Sequence, residues 1–462
     1  MCCLRRFDTP QLELVSRGKV RDSFRINEET RLIVATDRLS AFDRVLDTCI
    51  PGKGATLNHL AAHWFEQTRH IVPNHYLKMV ADQAMLVREA QPIPLEIIVR
   101  AYITGSAWRA YARGRRSVSG VSLPEGLTRN ARLPEPIVTP TTKSKHDEEI
   151  DPAGVAAAGI VDHETYQAME RISLELFAHA SRTLAEQGIL LVDSKYEFGW
   201  IDGEVVVIDE IHTPDSSRFW RASDYEAHPE SAEALDKEFV RGWLLAEKEK
   251  GNDPTLLPDV VVEETSRRYR GIGHEITGKP LPPVAEDAPG RLVEQLAGAG
   301  VLRDGFVTIV CGSFSDAAHA ERIAGELAPY GLYVSQRIAS AHKTPARVEA
   351  LCIELNAACE PGVVIAVAGL SNGLGGALAA NLTLPVINCP PFADRLDVEM
   401  HLGSSVHMPS NVPAMTVLSP NNAAQAALRC LQRPRLRTAL QGEIATRWAA
   451  IAEADRAAGV HP

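Results

Sequence analysis

Residues 306–339 read FVTIVCGSFSDAAHAERIAGELAPYGLYVSQRIA and have the pattern of a strand, a turn, a helix and a second strand. The apolar run at 306–311 predicts a buried strand, 317–330 has the spacing of an amphipathic helix, and 333–339 predicts a second strand. A helix between two such strands is typical of a parallel sheet with right-handed crossovers. This stretch therefore predicts an α/β domain.

The same alternation continues along the chain, with a helix predicted at 345–359 and strands at 363–368 and 385–389. Polar or glycine-rich segments follow three of the strands: GSFSD at 312–316, SAHKTP at 340–345 and AGLSNGLGG at 368–376. Ligands of open parallel sheets bind beyond the carboxyl ends of the strands. We therefore expect a flavodoxin-like, three-layer domain with one crevice that collects these segments.

The first 270 residues follow another pattern. Strands are predicted at 32–36, 96–102, 190–198 and 204–211, and helices at 57–68, 106–113, 163–186 and 236–248. Because they do not alternate regularly, we expect an α+β domain with two lobes. Residues 271–290, GIGHEITGKPLPPVAEDAPG, are rich in glycine and proline. The predicted organisation is a domain at 1–271, a linker at 272–304, a second domain at 305–435 and a helical tail at 436–462.

Composition indicates a globular protein, with 45% hydrophobic and 23% charged residues among 462. The net charge of −11 does not favour a nucleic-acid partner. No apolar stretch approaches the ~20 residues needed to span a bilayer, and the N-terminus has no signal-peptide pattern. The eight cysteines have no metal-binding spacing. We expect a soluble, cytoplasmic protein without a membrane partner.

A predicted hairpin at 189–210, ILLVDSKYEFGWIDGEVVVIDE, is rich in charged side chains. Residues two apart share a face of a strand, so Asp193, Lys195 and Glu197 lie together. Carboxylates beside a lysine can hold Mg²⁺ and neutralise a phosphoryl group; the alternative is a solvated face with ordinary charge pairs. If Glu197 and Asp209 share a metal, we expect an odd-length loop or a bulge at Gly203.

Other segments have the composition of anion sites. SRGKVRD at 16–22 combines a glycine with three cations, which suits phosphate binding. Arg100 ends a predicted strand shortly before a helix start at Thr104–Ser106, and TPDSSRFW at 213–220 supplies Arg218. The alternative for Ser106 is a simple helix N-cap.

Taken together, GKVRD, ATDRLSAFD, PLEIIVRAYITGSAW, DSKYEFG and VIDEIHTPDSSRFW make residues 14–270 resemble the SAICAR synthetase family. GSFSD, SAHKTP, AGLSNGLGG and PVINCPP make residues 306–430 resemble the AIR carboxylases that use CO₂ directly. The order of the two segments resembles that of the bifunctional purine enzyme of animals.

The first resemblance implies ATP- and Mg²⁺-dependent ligation of aspartate to carboxyaminoimidazole ribonucleotide (CAIR), whose carboxylate is phosphorylated first. It implies ATP contacts at Gly18, Lys19, Arg21 and Glu96, and metal ligands at Glu197 and Asp209. The residues implied at CAIR and aspartate are Asp37, Arg38, Ser40, Arg100, Ser106, Asp147 and Arg218, with Asp193 and Lys195 as catalytic residues.

The second resemblance implies carboxylation of aminoimidazole ribonucleotide (AIR) to CAIR. His342 is the implied acid and base, and Lys343 and Ser371 hold CO₂ or the new carboxylate. The residues implied at AIR are Ser313, Ser315, Asp316, Asn372 and Gly373. The family also implies a homo-oligomer, with an octameric core.

Two positions depart from the carboxylase pattern, because Leu370 and His407 stand where arginines are usual. Losing two cations at ~1.5–3 kcal/mol per charged hydrogen bond would weaken phosphate binding strongly. Three hypotheses therefore stay open: an enzyme with both activities, an active synthetase with a silent carboxylase-like oligomerisation core, and a paralogue for a related nucleotide in nucleoside-antibiotic biosynthesis.

Overall fold

The computed structural model describes residues 3–42, 44–143, 148–232, 235 and 238–459. They form two compact units. The first contains Met1–Phe7 and Glu13–Gln295, and the second contains Asp8–Leu12 and Leu296–Pro462. Within the described residues no helix is long and apolar enough to cross a membrane.

The first unit is α+β, as expected. Its strands are β1 (Glu13–Arg17), β2 (Arg21–Arg25), β3 (Thr30–Ala35), β4 (Arg38–Ala41), β5 (Arg44–Cys49), β6 (Tyr76–Ala81), β7 (Ala84–Arg88), β8 (Gln91–Tyr102), β9 (Ser117–Val118), β10 (Val121–Ser122), β11 (Arg132–Thr142), β12 (Ile189–Ile201), β13 (Glu204–Ile208) and β14 (Ser217–Arg221). Its helices are α1 (Lys53–Gln67), α2 (Gly105–Ala112), α3 (Pro152–Ala157), α4 (His163–Ala185), α5 (Ala222–Ala227), α6 (Glu238–Glu249), α7 (Asp259–Thr277) and α8 (Ala288–Gly298), the last of which runs three residues past Gln295.

Two antiparallel sheets organise this unit. One has the order β1-β2-β3-β7-β6, and the other has the order β11-β8-β12-β13, with β14 also paired to β12. Helices α1 and α4 bury apolar side chains such as Trp64 and Leu176 in the core that these strands form. Asp162 begins α4 by accepting a hydrogen bond from the Thr165 amide (2.7 Å).

The β12–β13 hairpin differs from the prediction. Ile201 pairs with Glu204 and Glu197 pairs with Ile208, so the loop has two residues and no bulge. Asp202 and Gly203 have φ values of 53° and 80°, as a tight primed turn requires. The expected odd-length loop is therefore wrong. The strand ends at Ile208 instead, and Asp209 adopts a left-handed φ of 65°, which interrupts the alternation of faces.

The second unit has the predicted doubly wound architecture. Its strands are β15 (Phe306–Cys311), β16 (Tyr333–Ile338), β17 (Gly362–Val367), β18 (Val386–Asn388) and β19 (Ala414–Thr416). All neighbours are parallel in the order β16-β15-β17-β18-β19, which is the flavodoxin-like order. Its helices are α9 (Ala317–Leu327), α10 (Pro345–Ala357), α11 (Gly373–Asn381), α12 (Arg395–His401), α13 (Gly403–Val406), α14 (Pro420–Leu431) and α15 (Pro434–Ala458).

Helices cover both faces of this sheet. One core contains residues of α9, α14 and α15, and the other contains residues of α10 and α11. All residues of β15 and β17 are buried, which explains their continuous apolar sequences.

A short N-terminal segment, Asp8–Leu12, completes the second unit. Thr9 donates a hydrogen bond to the buried Glu360, and Gln11 exchanges hydrogen bonds with the backbone of Arg303 (2.7 and 3.2 Å). The Cys359 amide donates to the carbonyl of Asp8 (2.9 Å). The predicted linker, 272–304, is partly helical, since it contains the end of α7 and all of α8.

Candidate active sites

Strands β8 and β12 carry charged side chains on one face of the second sheet. In their register Glu197 lies opposite Glu96, and Asp193 lies opposite Arg100. Directly opposed residues share a face, so all four side chains project to the same side together with Lys195. The two pairs are four residues apart along the strands, about 13 Å. This face therefore has an acidic end and an arginine end.

At the acidic end, two lysines form ion pairs with the carboxylates. Lys195 Nζ lies 2.8 Å from Glu96 Oε1, and both Lys195 and Lys143 form ion pairs with Glu197. Burial opposes the charge of Lys195, but the attraction of Glu197, Asp209 and Glu96 outweighs it and raises the pKa of the lysine. Burial alone would also raise the pKa of Glu197, yet Lys195 and Lys143 hold that pKa well below its usual range. The ion pairs thus keep both partners charged.

Arg21 connects the N-terminal loop with the carboxylates after β13. Its guanidinium donates to Asp209 Oδ1 (2.6 Å) and forms an ion pair with Glu210. Burial raises the pKa of Asp209 to about 6 although Arg21 opposes the shift. His75 is buried beside this site, its side chain hydrogen-bonds to the backbone of Asp209, and burial together with Arg21 lowers its pKa to about 3. His75 is therefore neutral at pH 7.

These groups line one cavity of about 850 Å³. It has an apolar part, formed by residues such as Ile33, Val87 and Pro92, and a polar part. Eight cationic side chains face five carboxylates there, namely Arg17, Lys19, Arg21, Arg31, Arg88, Lys143, Lys195 and Arg241 against Glu96, Glu197, Asp209, Glu210 and Asp215. An apolar wall and a surplus of positive charge suit a ring system that carries several phosphates.

The donor set fits a magnesium ion that arrives with phosphates. Among the described residues, no three His, Cys, Asp or Glu side chains are grouped so that they could hold a metal on their own. Glu197 and Asp209 offer carboxylate oxygens beside the cationic loop. Mg²⁺ is usually held by one or two carboxylates together with water and substrate phosphates. The pair thus fits a metal–phosphate complex.

At the arginine end, Asp193 joins two guanidinium groups. Its Oδ2 accepts from Arg100 Nη1 (3.2 Å) and forms a shorter ion pair with Arg218. Arg218 also lies at the start of α2, where a Cβ on Gly105 would be 2.8 Å from its Nη2. Ser106 is exposed in the first turn of α2, and Thr104, not Ser106, is the N-cap residue. Two arginines and a helix N-terminus converge there, which is an arrangement for a phosphate.

Five described residues predicted at CAIR and aspartate do not line the cavity: Arg100, Ser106 and Arg218 lie at the arginine end, and Asp37 and Arg38 are buried in the protein. Asp37 is buried and accepts hydrogen bonds from the amides of Leu4 (3.0 Å) and Gly54 (2.9 Å). Arg38 is nine-tenths buried and donates to backbone carbonyls and to Asp22. Their expected contact with substrate has no counterpart in this arrangement, because their polar atoms are used inside the protein. Ser40 does line the cavity, and Asp147 lies outside the described residues.

The second unit has a separate cavity of about 430 Å³ at the carboxyl ends of its strands. The three predicted segments meet there, with Ser313, Ser315 and Asp316 from the first, His342 and Lys343 from the second, and Leu370 and Ser371 from the third. His342 is exposed to solvent. Ser313 and Asp316 form a reciprocal capping box at the start of the turn that leads into α9.

Asn372 and Gly373 support this cavity without lining it. Asn372 is buried, begins α11 by accepting from the Gly375 amide (3.2 Å) and donates to Ser405 (3.0 Å). A Cβ on Gly373 would lie 3.1 Å from the ring of His342, so the glycine permits the imidazole to approach. Both residues therefore position the loop and the histidine in this arrangement, whereas the sequence implied contact with AIR.

Comparison with known proteins identifies the first unit. Residues 14–256, more than half of the chain, match the family model of SAICAR synthetase. The chain belongs to the SAICAR synthetase family. Residues 306–447 match the family model of AIR carboxylase. The chain is thus an enzyme of purine biosynthesis that combines a SAICAR synthetase and an AIR carboxylase, and both resemblances in the sequence are confirmed.

Individual relatives cover the two parts separately. Phosphoribosylaminoimidazole-succinocarboxamide synthase of Bacteroides fragilis is 44% identical over 282 residues, which are 59% of this chain and 90% of the relative. SAICAR synthase of Saccharomyces cerevisiae, solved in complex with SAICAR, is 35% identical with a TM-score of 0.55 and covers 61% of this chain and 100% of that one. Treponema denticola PurE is 34% identical with a TM-score of 0.32 and covers 34% of this chain and 99% of that one.

Sequence reasoning missed several ionisable residues of the synthetase cavity, among them Lys143 and His75. Lys143 pairs with Glu197, but its position in a polar loop carries no signal for that partner. His75 follows an Asn in a turn before β6, and only the bridge from Asn74 to Val207 brings it to Asp209. A pairing between segments more than 130 residues apart has no local pattern that would predict it.

Proposed function

We propose that the charged face of β8 and β12 binds ATP at its acidic end, in the synthetase cavity, and CAIR toward its arginine end, so that the CAIR carboxylate meets the terminal phosphate near Lys195. The observation that carries this proposal is the shared face of β8 and β12, on which Glu96 and Glu197 lie about 13 Å from Arg100 and Asp193. A mononucleotide with a carboxylate at one end and a phosphate at the other can bridge that distance.

At the ATP end, the loop of Gly18 and Lys19, together with Arg21, binds the phosphates. Glu197 and Asp209 would hold Mg²⁺, which would supply positive charge to neutralise the transferred phosphoryl group. Lys195, held between Glu96 and Glu197, faces the position of the carboxyl phosphate, where its charge offsets the developing negative charge. Aspartate then attacks the activated carboxyl carbon, and phosphate leaves.

At the CAIR end, Arg100, Arg218 and the start of α2 bind the 5′-phosphate, with Ser106 as a further donor. The phosphate competes with Asp193 for the two guanidinium groups, so binding frees the Asp193 carboxylate to face the nucleotide. Ser40 contacts substrate from the cavity wall, and Asp147 is a further substrate-binding residue, as the family resemblance implies.

In the carboxylase cavity, His342 exchanges the proton at C4 of AIR while CO₂ adds to that carbon, and Lys343 and Ser371 hold the carboxylate. Ser313, Ser315 and Asp316 bind the ribose phosphate. Leu370 and His407 leave this site with fewer cations than the family pattern has. We therefore expect activity with a raised KM for AIR.

Two assays separate the two halves of this proposal. CAIR, aspartate, ATP and Mg²⁺ should yield SAICAR, and AIR with bicarbonate should yield CAIR without ATP. Lys195→Met should abolish only the first reaction and His342→Asn only the second, with Lys78→Met on the exposed side of β6 as a control for both. A wild-type enzyme that makes no CAIR at high concentration would favour a silent oligomerisation core. Failure with CAIR and aspartate would favour a paralogue with another nucleotide.

We further propose that the enzyme works in the cytoplasm on these small molecules as a homo-oligomer, with an octameric core built by the carboxylase domain. The family resemblance supports this assembly. Mass photometry of the full chain should give eight copies, and a monomer at working concentration would contradict it.

A further inference from the structure

We propose that Arg38 is a positioning residue that shapes the phosphate loop Gly18–Val20 from behind and does not itself bind substrate. The proposal rests on the ATP site assigned above and adds a residue that determines the form of that site.

The guanidinium of Arg38 is almost fully occupied by the protein. Its Nε donates to the Lys19 carbonyl (3.0 Å), and its Nη2 donates to the Gly18 carbonyl (2.9 Å) and to Asp22 Oδ1 (2.9 Å). Its Nη1 donates to the Arg5 carbonyl (2.6 Å). An arginine has five N–H groups, so four are used here. Little capacity remains for a ligand, and Arg38 does not line the cavity.

A third carbonyl of the loop is held by the neighbouring residue. Thr36 donates to the carbonyl of Val20 from its amide (2.9 Å) and from its hydroxyl (2.8 Å). The segment from Thr36 to Arg38 thus holds three consecutive carbonyls, those of Gly18, Lys19 and Val20.

Fixing the carbonyls also fixes the amides. In a trans peptide unit the N–H of the next residue points opposite to the C=O. The carbonyls of Gly18 and Lys19 face Arg38, so the amides of Lys19 and Val20 face away from it. Gly18, Lys19 and Val20 all line the cavity. Successive amides on one side of a loop form a concave site for an anion.

Asp22 fixes the position of the Arg38 guanidinium behind the loop. It is fully buried, and while Oδ1 accepts from Arg38, Oδ2 accepts from the Phe7 amide (3.0 Å). A lysine at position 38 could keep the charge beside Asp22, but its single ammonium could not hold two carbonyls in the fork geometry of a guanidinium. Arg38→Lys is therefore the informative substitution.

The test compares Arg38→Lys with Lys19→Ala and with Arg44→Lys, a control on the exposed Arg44–Asp253 ion pair. Binding of a fluorescent ADP analogue with Mg²⁺ is measured beside KM for ATP, CAIR and aspartate in the full chain. We expect Arg38→Lys to raise Kd for the analogue and KM for ATP about tenfold or more. KM for CAIR and aspartate should stay within about twofold, and Arg44→Lys should change nothing.

Other results would overturn the proposal. A raised KM for CAIR or aspartate with unchanged ATP binding would show direct substrate contact, and unchanged KM values with fewer active sites would show a structural role only. If Lys19→Ala weakens nucleotide binding and Arg38→Lys does not, Arg38 has no positioning role. If Lys19→Ala has no effect either, the ATP site itself is misplaced and both proposals fail. Should Arg38→Lys not fold, Thr36→Val, which removes one bond to the Val20 carbonyl, must raise Kd for the analogue severalfold.

Discussion

Replacing Asp193 with asparagine should destabilise the synthetase domain in the absence of ligand and increase the stabilisation that inorganic phosphate gives it. Asp193 and Arg100 each have side chains 8% exposed, and Arg218 is 21% exposed. One carboxylate therefore separates two guanidinium groups. Burial and then Arg218 lower the pKa of Arg100, and Asp193 opposes that shift. Removing one partner of a buried ion pair costs ~3–5 kcal/mol, and the amide oxygen retained by asparagine favours the lower value, about 3 kcal/mol.

For a domain of this size, that loss corresponds to a decrease in Tm of roughly 6 °C. Thermal unfolding followed by fluorescence with increasing inorganic phosphate measures both effects, because phosphate no longer competes with Asp193 in the variant. Asp202→Asn is the matched control, since Asp202 forms an exposed pair with Arg88 and is 84% exposed. A decrease below about 2 °C, or equal stabilisation of wild type and variant by phosphate, would refute the assignment of this cluster as a phosphate clamp.

Three further changes test other parts of the molecule. Glu197→Gln should raise the Mg²⁺ concentration for half-maximal SAICAR formation about tenfold or more. Glu204→Gln, which changes an exposed residue of the same hairpin, should not. Equal Mg²⁺ dependence in Glu197→Gln and wild type would contradict the metal assignment. Leu370→Arg should lower KM for AIR about tenfold, because Leu370 lines the carboxylase cavity and is 71% exposed. Leu396→Arg, outside the cavity, should have no effect. An unchanged KM in Leu370→Arg would mean that the missing cation does not limit AIR binding. His212 is buried and shares a 2.8 Å hydrogen bond with Tyr196, and burial lowers its pKa to about 3. A histidine neutral in the fold and charged when unfolded stabilises above its unfolded pKa, and this contribution is lost as pH falls below about 6.5. Between about pH 7 and pH 5, chemical denaturation should show a loss of stability that is about 2 kcal/mol smaller in His212→Gln than in wild type, because His75 contributes a loss of its own. The exposed His228→Gln should lose as much as wild type, and an equal loss in His212→Gln would contradict the prediction.

Four of the five strands of the carboxylase domain were predictable to within a residue at each end, whereas β19 was not predicted. Its central strands are buried on both faces, so each is a continuous apolar run bounded by turn residues. The cavity followed from the same pattern because strand ends of a parallel sheet share one edge. Helix α8 was less predictable, since the proline-rich residues before it hide the periodicity of 288–298.

The synthetase cavity was predictable in residue types and less so in geometry. Spacing along β12 placed Lys195 beside Glu197, as the structure shows. The left-handed conformation of Asp209 was not foreseen, because a non-glycine residue with positive φ is stabilised by its tertiary surroundings. Arg38 stands in a motif that implies ligand binding, and only burial reveals that its donors face the backbone.

The placement of Asp8–Leu12 in the second unit has a consequence for biosynthesis of the chain. Thr9 and its hydrogen-bond partner Glu360 are 351 positions apart. The ribosome therefore reaches Glu360 roughly half a minute after it has synthesised Asp8–Leu12. By the end of that interval all strands of the synthetase domain have been synthesised, while residues 8–12 still lack their partner in the second unit. A chain truncated before Glu360 would lack the segment that Asp8–Leu12 binds, and proteases should cleave such a product at residues 8–12.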